Sequence, residues 1–236
     1  MKVLLSLLVS VLLITTPATA PTVDEPSLAT LTNRVSKSIV PLTVFLSETD
    51  GLYCTAFSIS ESYGLYLTTY HCLESEGRRA IRWEIEGHPA YPVQGFIGDQ
   101  QYLFPNQNVE TDLAVLVSSF KRPALLLGSV PHVEDKIVFA GYAGGHTRHL
   151  QINEGTVMQP TRTFIGDWRT EQLITRAIFT MGSPHSVRGG NSGGPILTAQ
   201  GKVISMIAGT TILHGTSVGC GVLYGFIARI MANLPA

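Results

Sequence analysis

The hexapeptide Gly190-Asn191-Ser192-Gly193-Gly194-Pro195 is the most informative stretch of this 236-residue sequence. A serine among glycines can be exposed on a tight turn, with backbone N–H groups directed at one point. If Ser192 attacks a carbonyl carbon, the carbonyl oxygen becomes an oxyanion, and the N–H groups of Gly190 and Ser192 are suited to bind it. We therefore predict a nucleophilic serine on this turn; the alternative is a glycine-rich turn with an incidental serine.

A serine hydroxyl is a weak nucleophile near neutral pH and needs a positioned base, which is most often histidine. Of the seven histidines, His71 ends the apolar stretch Leu67-Thr68-Thr69-Tyr70-His71-Cys72 and is the predicted base. The others lie in polar or Gly/Pro-rich stretches and are interpreted as loop residues: His88, His132, His146, His149, His185 and His214. His146 and His149 have no acid or cysteine at ligand spacing, so we predict no metal site.

The base must be held in one tautomer by an acceptor. Asp112 stands at the start of the apolar run Leu113-Ala114-Val115-Leu116. A carboxylate there is costly without a partner, so we predict that it orients His71; the alternative is an ordinary turn aspartate. Asp99, Asp135 and Asp167 lie in polar loops and are weaker candidates.

The chain order of these three residues distinguishes between two folds. Gly190-x-Ser192-x-Gly194 also fits the nucleophile elbow of α/β-hydrolases, in which the acid and the histidine follow the serine. No Asp or Glu follows Ser192, and Gly193-Gly194-Pro195 is a poor start for the helix that an elbow requires. The order His71, Asp112, Ser192 is instead that of chymotrypsin.

The rest of the sequence is typical of an all-β domain. Hydrophobic residues make up 44% and charged residues 14%, with 23 glycines and 13 prolines. Short apolar or alternating runs follow one another closely, which predicts a sandwich or barrels. Tyr224 to Leu234 is predicted to form a short closing helix. The net charge of −1 argues against nucleic acid as a partner.

The N-terminus has the pattern of an export signal. Lys2 precedes a twelve-residue apolar run from Val3 to Ile14, and Ala18 and Ala20 form an A-x-A cleavage pattern. The run is shorter than the roughly 20 residues that span a bilayer. We predict a signal peptide at residues 1–20, a lead-in at 21–34, a secreted or periplasmic mature chain, and no membrane span in it.

The sequence motifs around His71, Asp112 and Ser192 together resemble the active-site motifs of trypsin-like (chymotrypsin-fold) serine peptidases. Among these peptidases they are most similar to the bacterial Deg/HtrA-type members. The resemblance implies two antiparallel six-stranded β-barrels, at about residues 35–120 and 130–230 of a domain spanning 35–236. It also implies a triad in the cleft between them. Only 44 residues follow Ser192, so a PDZ domain is not expected.

The resemblance also suggests roles for the cysteines and for residues that bind the substrate. Cys54 and Cys72 match a disulfide beside the catalytic histidine, worth about 3 kcal/mol, which leaves Cys220 as a free, buried thiol. The alternative is that all three are reduced and buried. By position, Ser186 lies at the base of the specificity pocket, flanked by Ala208 and Thr210. This hints at small or medium apolar P1 residues, although Arg188 could reach an acidic one.

Several departures and alternatives accompany this interpretation. Asn191 replaces the aspartate with which animal members pair a new N-terminal amine, so activation by that route is not expected.

The leading hypothesis is an endopeptidase that needs no cofactor or metal and acts on protein or peptide substrates. A catalytically silent binding module and an esterase on the same fold are the alternatives. The sequence does not specify the oligomeric state.

Overall fold

The structure is a computed structural model. It describes residues 26–75, 78–93, 95–97, 100–102, 111–144, 149–167, 172–180, 187–213, 216–232 and 234. The predicted signal peptide and the residues Ser186, His146, His185 and His214 lie outside these ranges. Within the described residues, no helix is both long enough and apolar enough to cross a membrane.

Short strands dominate the first half of the described chain. In chain order its elements are α1 (Leu28–Val35), a 3-10 turn (Ser36–Ser38), β1 (Ile39–Phe45), β2 (Gly51–Ser60), β3 (Leu65–Thr68), a 3-10 turn (Tyr70–Cys72), β4 (Glu74–Ser75), β5 (Arg78–Arg79), β6 (Arg82–Ile85), β7 (His88–Pro92), β8 (Gly95–Ile97), β9 (Gln100–Tyr102) and β10 (Ala114–Ser118).

The second half has longer strands and ends in a helix. Its elements are β11 (Lys136–Gly141), β12 (Gln151–Asp167), β13 (Gln172–Phe179), β14 (Pro195–Thr198), β15 (Val203–Leu213), β16 (Thr216–Val222) and α2 (Tyr224–Met231).

The strands form two closed antiparallel barrels of six strands each. The first has the order β1-β2-β3-β10-β7-β6, and the second has the order β11-β12-β13-β16-β15-β14. The pairs β4–β5 and β8–β9 form separate two-stranded sheets. The predicted all-β fold with two six-stranded barrels and a short C-terminal helix is confirmed.

Many strands are apolar on both faces because each barrel packs against the other. Along β3, Tyr66 points into the first barrel, whereas Leu65 and Leu67 join the core shared by the two barrels. Along β11, Phe139 fills the second barrel and Val138 joins the shared core. Successive side chains of a strand point to opposite faces, so here they alternate between two apolar cores. The sequence of these strands therefore shows continuous apolar runs.

Helix α1 begins in the segment that is predicted only as a lead-in, residues 21–34, and ends one residue beyond it. The Ser27 side chain caps it by accepting a hydrogen bond from the Thr30 backbone N–H, and Leu31 and Val35 are buried. A Cβ added at Gly201 would lie 2.8 Å from Leu31 Cδ1, so the helix packs closely on the second barrel. With only two buried side chains, the helix gives a weak periodic signal in the sequence.

Two local expectations require correction. His88 is not a loop residue: it begins β7, and its ring stacks on Phe120 with 4.5 Å between the ring centroids. Apolar and polar residues alternate over 81–86, which predicts a strand there. The strand β6 does form, but Ile81 precedes it and is 61% exposed. Ile85, at the other end of the run, is fully buried.

Candidate active site

The pairing of β3 with β10 brings His71 and Asp112 together. Thr68, the last residue of β3, is the ladder partner of Ala114, the first residue of β10. Because the two strands are antiparallel, the chain leaving β3 runs beside the chain entering β10. His71 follows in the 3-10 turn after β3, and Asp112 immediately precedes β10. Residues 41 positions apart in the sequence thus become neighbours.

The Asp112 carboxylate accepts hydrogen bonds from two groups of His71, the ring nitrogen Nδ1 and the backbone N–H. The ring nitrogen Nδ1 lies 2.9 Å from Oδ2 and 3.1 Å from Oδ1, and the His71 backbone N–H donates to Oδ1 at 3.0 Å. A carboxylate can only accept, so Nδ1 carries the proton and Nε2 is left as the basic nitrogen. The carboxylate side chain is 11% exposed and the histidine ring 44%, so the ring faces the solvent side.

The backbone at Asp112 has φ 46°, in the left-handed region. Aspartate tolerates this region better than most residues, because its short polar side chain can form local hydrogen bonds. The carboxylate accepts the backbone N–H of His71, which ties the unusual backbone at residue 112 to the partner residue.

Arg176 also lies near the Asp112 carboxylate, and the sequence interpretation missed it. Its Nη2 atom is 3.9 Å from Asp112 Oδ2, and its side chain is only 6% exposed. Burial lowers the pKa of the guanidinium, while Asp112 and Cys220 oppose this effect. Arg176 is a charged residue in the apolar strand β13, and that contrast is the signal by which the sequence could have shown it.

The serine turn leads into β14, and two of its glycines have left-handed backbone conformations. Gly190 has φ 98° and Gly193 has φ 85°, both in the left-handed region that favours glycine. A Cβ added at Gly193 would collide with the backbone oxygen of Thr55 and with the Thr68 hydroxyl. The turn therefore packs directly against β2 and β3 of the first barrel.

The N–H groups of the turn divide into used and unused donors. Asn191 donates to the carbonyl of Arg188, Gly193 to that of Ile207, and Gly194 to that of Asn191. The backbone N–H groups of Gly190 and Ser192 donate to no group among the described residues. These are the two donors that the sequence assigned to an oxyanion.

Ser192 is held beside the histidine segment through its backbone. Its carbonyl accepts the N–H of Thr55 at 2.8 Å and lies 3.9 Å from Cys72 Sγ. Cys72 follows His71 and forms a disulfide with Cys54, while Cys220 is free and buried. Among the described residues, the His71 ring is hydrogen-bonded to Asp112 and not to the Ser192 hydroxyl. In free enzymes this bond is often long and shortens when substrate binds.

Of the residues assigned to substrate binding, Ala208 and Thr210 lie on β15, whereas Ser186 is outside the described residues. Ala208 is the extra residue at an irregularity in the pairing of β15 with β16, and it packs against the shared core. Thr210 is exposed and pairs with Gly219. No group of three or more His, Cys, Asp or Glu side chains is arranged to hold a metal ion within the described ranges.

The family model of the trypsin-like peptidase domain matches residues 54–206, well over half of the chain. The chain therefore belongs to the trypsin-like peptidase family and is a hydrolase of the serine endopeptidase type. No curated protein matches it by sequence.

Crystal structures of Rv3671c, a protease of M. tuberculosis, share this fold. The active form has a TM-score of 0.63 and 20% identity, over 99% of this chain and 95% of that chain. An inactive form has a TM-score of 0.62 and 18% identity, over 86% of this chain and 89% of that chain. At such identities the likeness shows the shared fold.

Proposed function

We propose that this chain is an exported serine endopeptidase that cleaves peptide bonds through an acyl-enzyme on Ser192. The observation that carries the proposal is the His71–Asp112 pair beside a serine turn whose Gly190 and Ser192 N–H groups bind no other described group. Nucleophilic acyl transfer requires a serine, an oriented base and donors for the developing oxyanion. All three requirements converge on residues that the chain supplies itself.

The chemistry proceeds in two halves. Ser192 Oγ attacks the carbonyl carbon of the scissile bond while His71 Nε2 takes the hydroxyl proton. The Gly190 and Ser192 N–H groups bind the oxyanion, and Asp112 stabilises the imidazolium. The C–N bond then breaks, and His71 gives its proton to the leaving amine. Water repeats the sequence on the ester and releases the acid with Ser192 regenerated.

The substrate is proposed to lie along β15, with the side chain before the scissile bond near Ala208 and Thr210. The backbone of Gly209, between these residues, has φ 156° and marks the irregularity at which β15 changes its pairing. The side chain of Thr210 is branched and exposed, which supports small or medium apolar P1 residues. An oxidising compartment is supported by the disulfide and by the predicted signal peptide.

A peptide-library digest tests the proposal with no assumption about which peptide is the substrate. Purified mature protein and its Ser192→Ala variant are incubated with proteome-derived peptides, and new termini are identified by mass spectrometry. The proposal predicts cleavage by the wild type, with one P1 class enriched, and none by the variant. Cleavage that survives in Ser192→Ala, or binding of peptides without cleavage by the folded wild type, would overturn it; the second result would favour a binding module.

A further inference from the structure

The hydroxyl of Thr55 connects three separate segments of the chain at the serine turn. Thr55 lies in β2 of the first barrel and is completely buried. Its Oγ1 donates a hydrogen bond to the Gly190 carbonyl at 2.7 Å and accepts the Tyr142 backbone N–H at 2.9 Å. Tyr142 directly follows β11 of the second barrel. One buried hydroxyl therefore connects the serine turn to both barrels.

The backbone of Thr55 reinforces this connection. Its N–H donates to the Ser192 carbonyl at 2.8 Å, and its own carbonyl accepts the Thr68 hydroxyl at 2.8 Å. The ladder partner of Thr55 in β1 is Pro41, which has no N–H to offer. Thr55 thus contacts the turn at the carbonyls of both predicted oxyanion donors, Gly190 and Ser192.

The turn needs such a restraint because of its composition. Gly189 and Gly190 stand in succession, and glycine has the greatest backbone freedom of any residue. The Gly190 carbonyl and the Asn191 N–H share one planar peptide unit, and the Gly190 N–H is joined to this unit through the Gly190 Cα. The Thr55 hydroxyl therefore fixes the peptide unit on one side of this donor. Oxyanion donors are effective only when they are held in place before the reaction.

We propose that Thr55 is a positioning residue whose buried hydroxyl fixes the Gly190–Asn191 peptide unit and thereby restrains the adjoining Gly190 N–H in the orientation that forms the oxyanion hole. The inference rests on the proposed function for its catalytic consequence. The hydrogen bond itself can be tested whether or not the chain hydrolyses peptides.

The first test compares variants that differ by one hydroxyl. Thr55→Val keeps the shape and loses the hydroxyl, whereas Thr55→Ser keeps the hydroxyl. Ser58→Ala is the matched control, since Ser58 is a buried residue of the same strand and donates one bond to the Arg122 carbonyl at 2.8 Å. If Thr55→Val does not fold, as judged by circular dichroism, Thr55→Ala takes its place.

Labelling kinetics with a fluorophosphonate separate the maximal rate from the apparent affinity for the probe. Loss of an oxyanion donor costs about 10²–10³ in rate, so a loosened donor should cost about tenfold or more. We expect the maximal labelling rate to fall by this factor in Thr55→Val. The rates of Thr55→Ser and Ser58→Ala should stay within about twofold of the wild-type rate. Labelling of Thr55→Val at the wild-type rate, or an equal loss in Thr55→Ser, would overturn the proposal.

Hydrogen–deuterium exchange provides the readout that does not depend on activity. The proposal predicts faster exchange of a fragment covering residues 187–194 in Thr55→Val only, with a fragment from β10 unchanged as the measure of general loosening. If the wild type takes no label, the proposed function fails, yet faster exchange of this fragment still supports the role of Thr55. Exchange equal to wild type in Thr55→Val would refute that role.

Discussion

Replacing Asp112 by asparagine removes one negative charge from the proposed triad and adds an NH2 donor, while keeping the shape of the side chain. Oδ1 accepts two hydrogens of His71, at 3.0 Å from the backbone nitrogen and 3.1 Å from Nδ1. The amide oxygen of the introduced asparagine should take this position, which leaves its NH2 group at the Oδ2 position, 2.9 Å from Nδ1 in the wild type. Two donors then face each other, so the histidine must move its proton to Nε2, where it can no longer act as base.

The size of the effect follows from charge and tautomer together. An opposite pair of unit charges about 4 Å apart is worth about 4 kcal/mol at an effective dielectric constant of about 20. That dielectric constant suits a ring that is 44% exposed. At about 1.4 kcal/mol for each factor of ten, loss of the charge alone reduces the rate about 10³-fold. The wrong tautomer raises the expected loss in kcat toward about 10⁴-fold.

The assay is kcat on a peptide taken from the library digest, with Asp135→Asn as the matched control. Asp135 also lies beside a histidine, 3.7 Å from His132 Nδ1, but that pair is exposed and remote from the serine turn. Asp135→Asn should retain the wild-type rate. A folded Asp112→Asn enzyme that keeps more than about a tenth of the wild-type kcat would refute the assigned role and place the acid elsewhere.

Three further predictions concern the surroundings of the triad. Arg176→Gln removes the buried cation 3.9 Å from Asp112, and loss of one partner of a buried pair should lower the free energy of unfolding by about 3 kcal/mol, measured by urea titration; Arg176→Lys should lose less, and an unchanged value in Arg176→Gln would contradict the reasoning. The double variant Cys54→Ala/Cys72→Ala should lose about 3 kcal/mol in unfolding free energy by urea titration, and an unchanged value would argue against a stabilising disulfide. Burial raises the pKa of Cys220 from 9.0 to about 11, so the folded chain keeps a proton that the unfolded chain loses. The contribution of this thiol to the free energy of unfolding is fully present below pH 9 and is lost as the pH rises to about 11. The free energy of unfolding should therefore fall less over that interval in Cys220→Ala than in the wild type; equal falls would show that the thiol does not contribute.

The features that the sequence predicted well are those that it encodes locally. Apolar runs of strand length, glycine at turn positions and a hydroxyl among glycines are all readable within a few residues. The same rule explains two strands that extend beyond their local apolar pattern. The apolar pattern of β12 ends near Met158, but the strand continues past Pro160 through irregular pairing to Asp167. β15 likewise continues beyond Ala208 through an irregularity.

The features that it did not predict depend on contacts between distant segments. Thr55 is 135 residues from Gly190, and its hydroxyl has no special local pattern. Arg176 lies on β13 of the second barrel, whereas Asp112 immediately precedes β10 of the first barrel, and the two meet only in the folded chain. A single sequence contains no measure of such proximity, so only the structure shows which groups these two residues contact.

The central claim is a working Ser–His pair, and labelling with a fluorophosphonate tests it most directly. Purified mature protein and its His71→Ala variant are treated with the probe, and the labelled residue is identified by peptide mass spectrometry. The account predicts stoichiometric label on Ser192 in the wild type and almost none in the variant. Absence of label on folded wild-type protein, or equal label in His71→Ala, would contradict it.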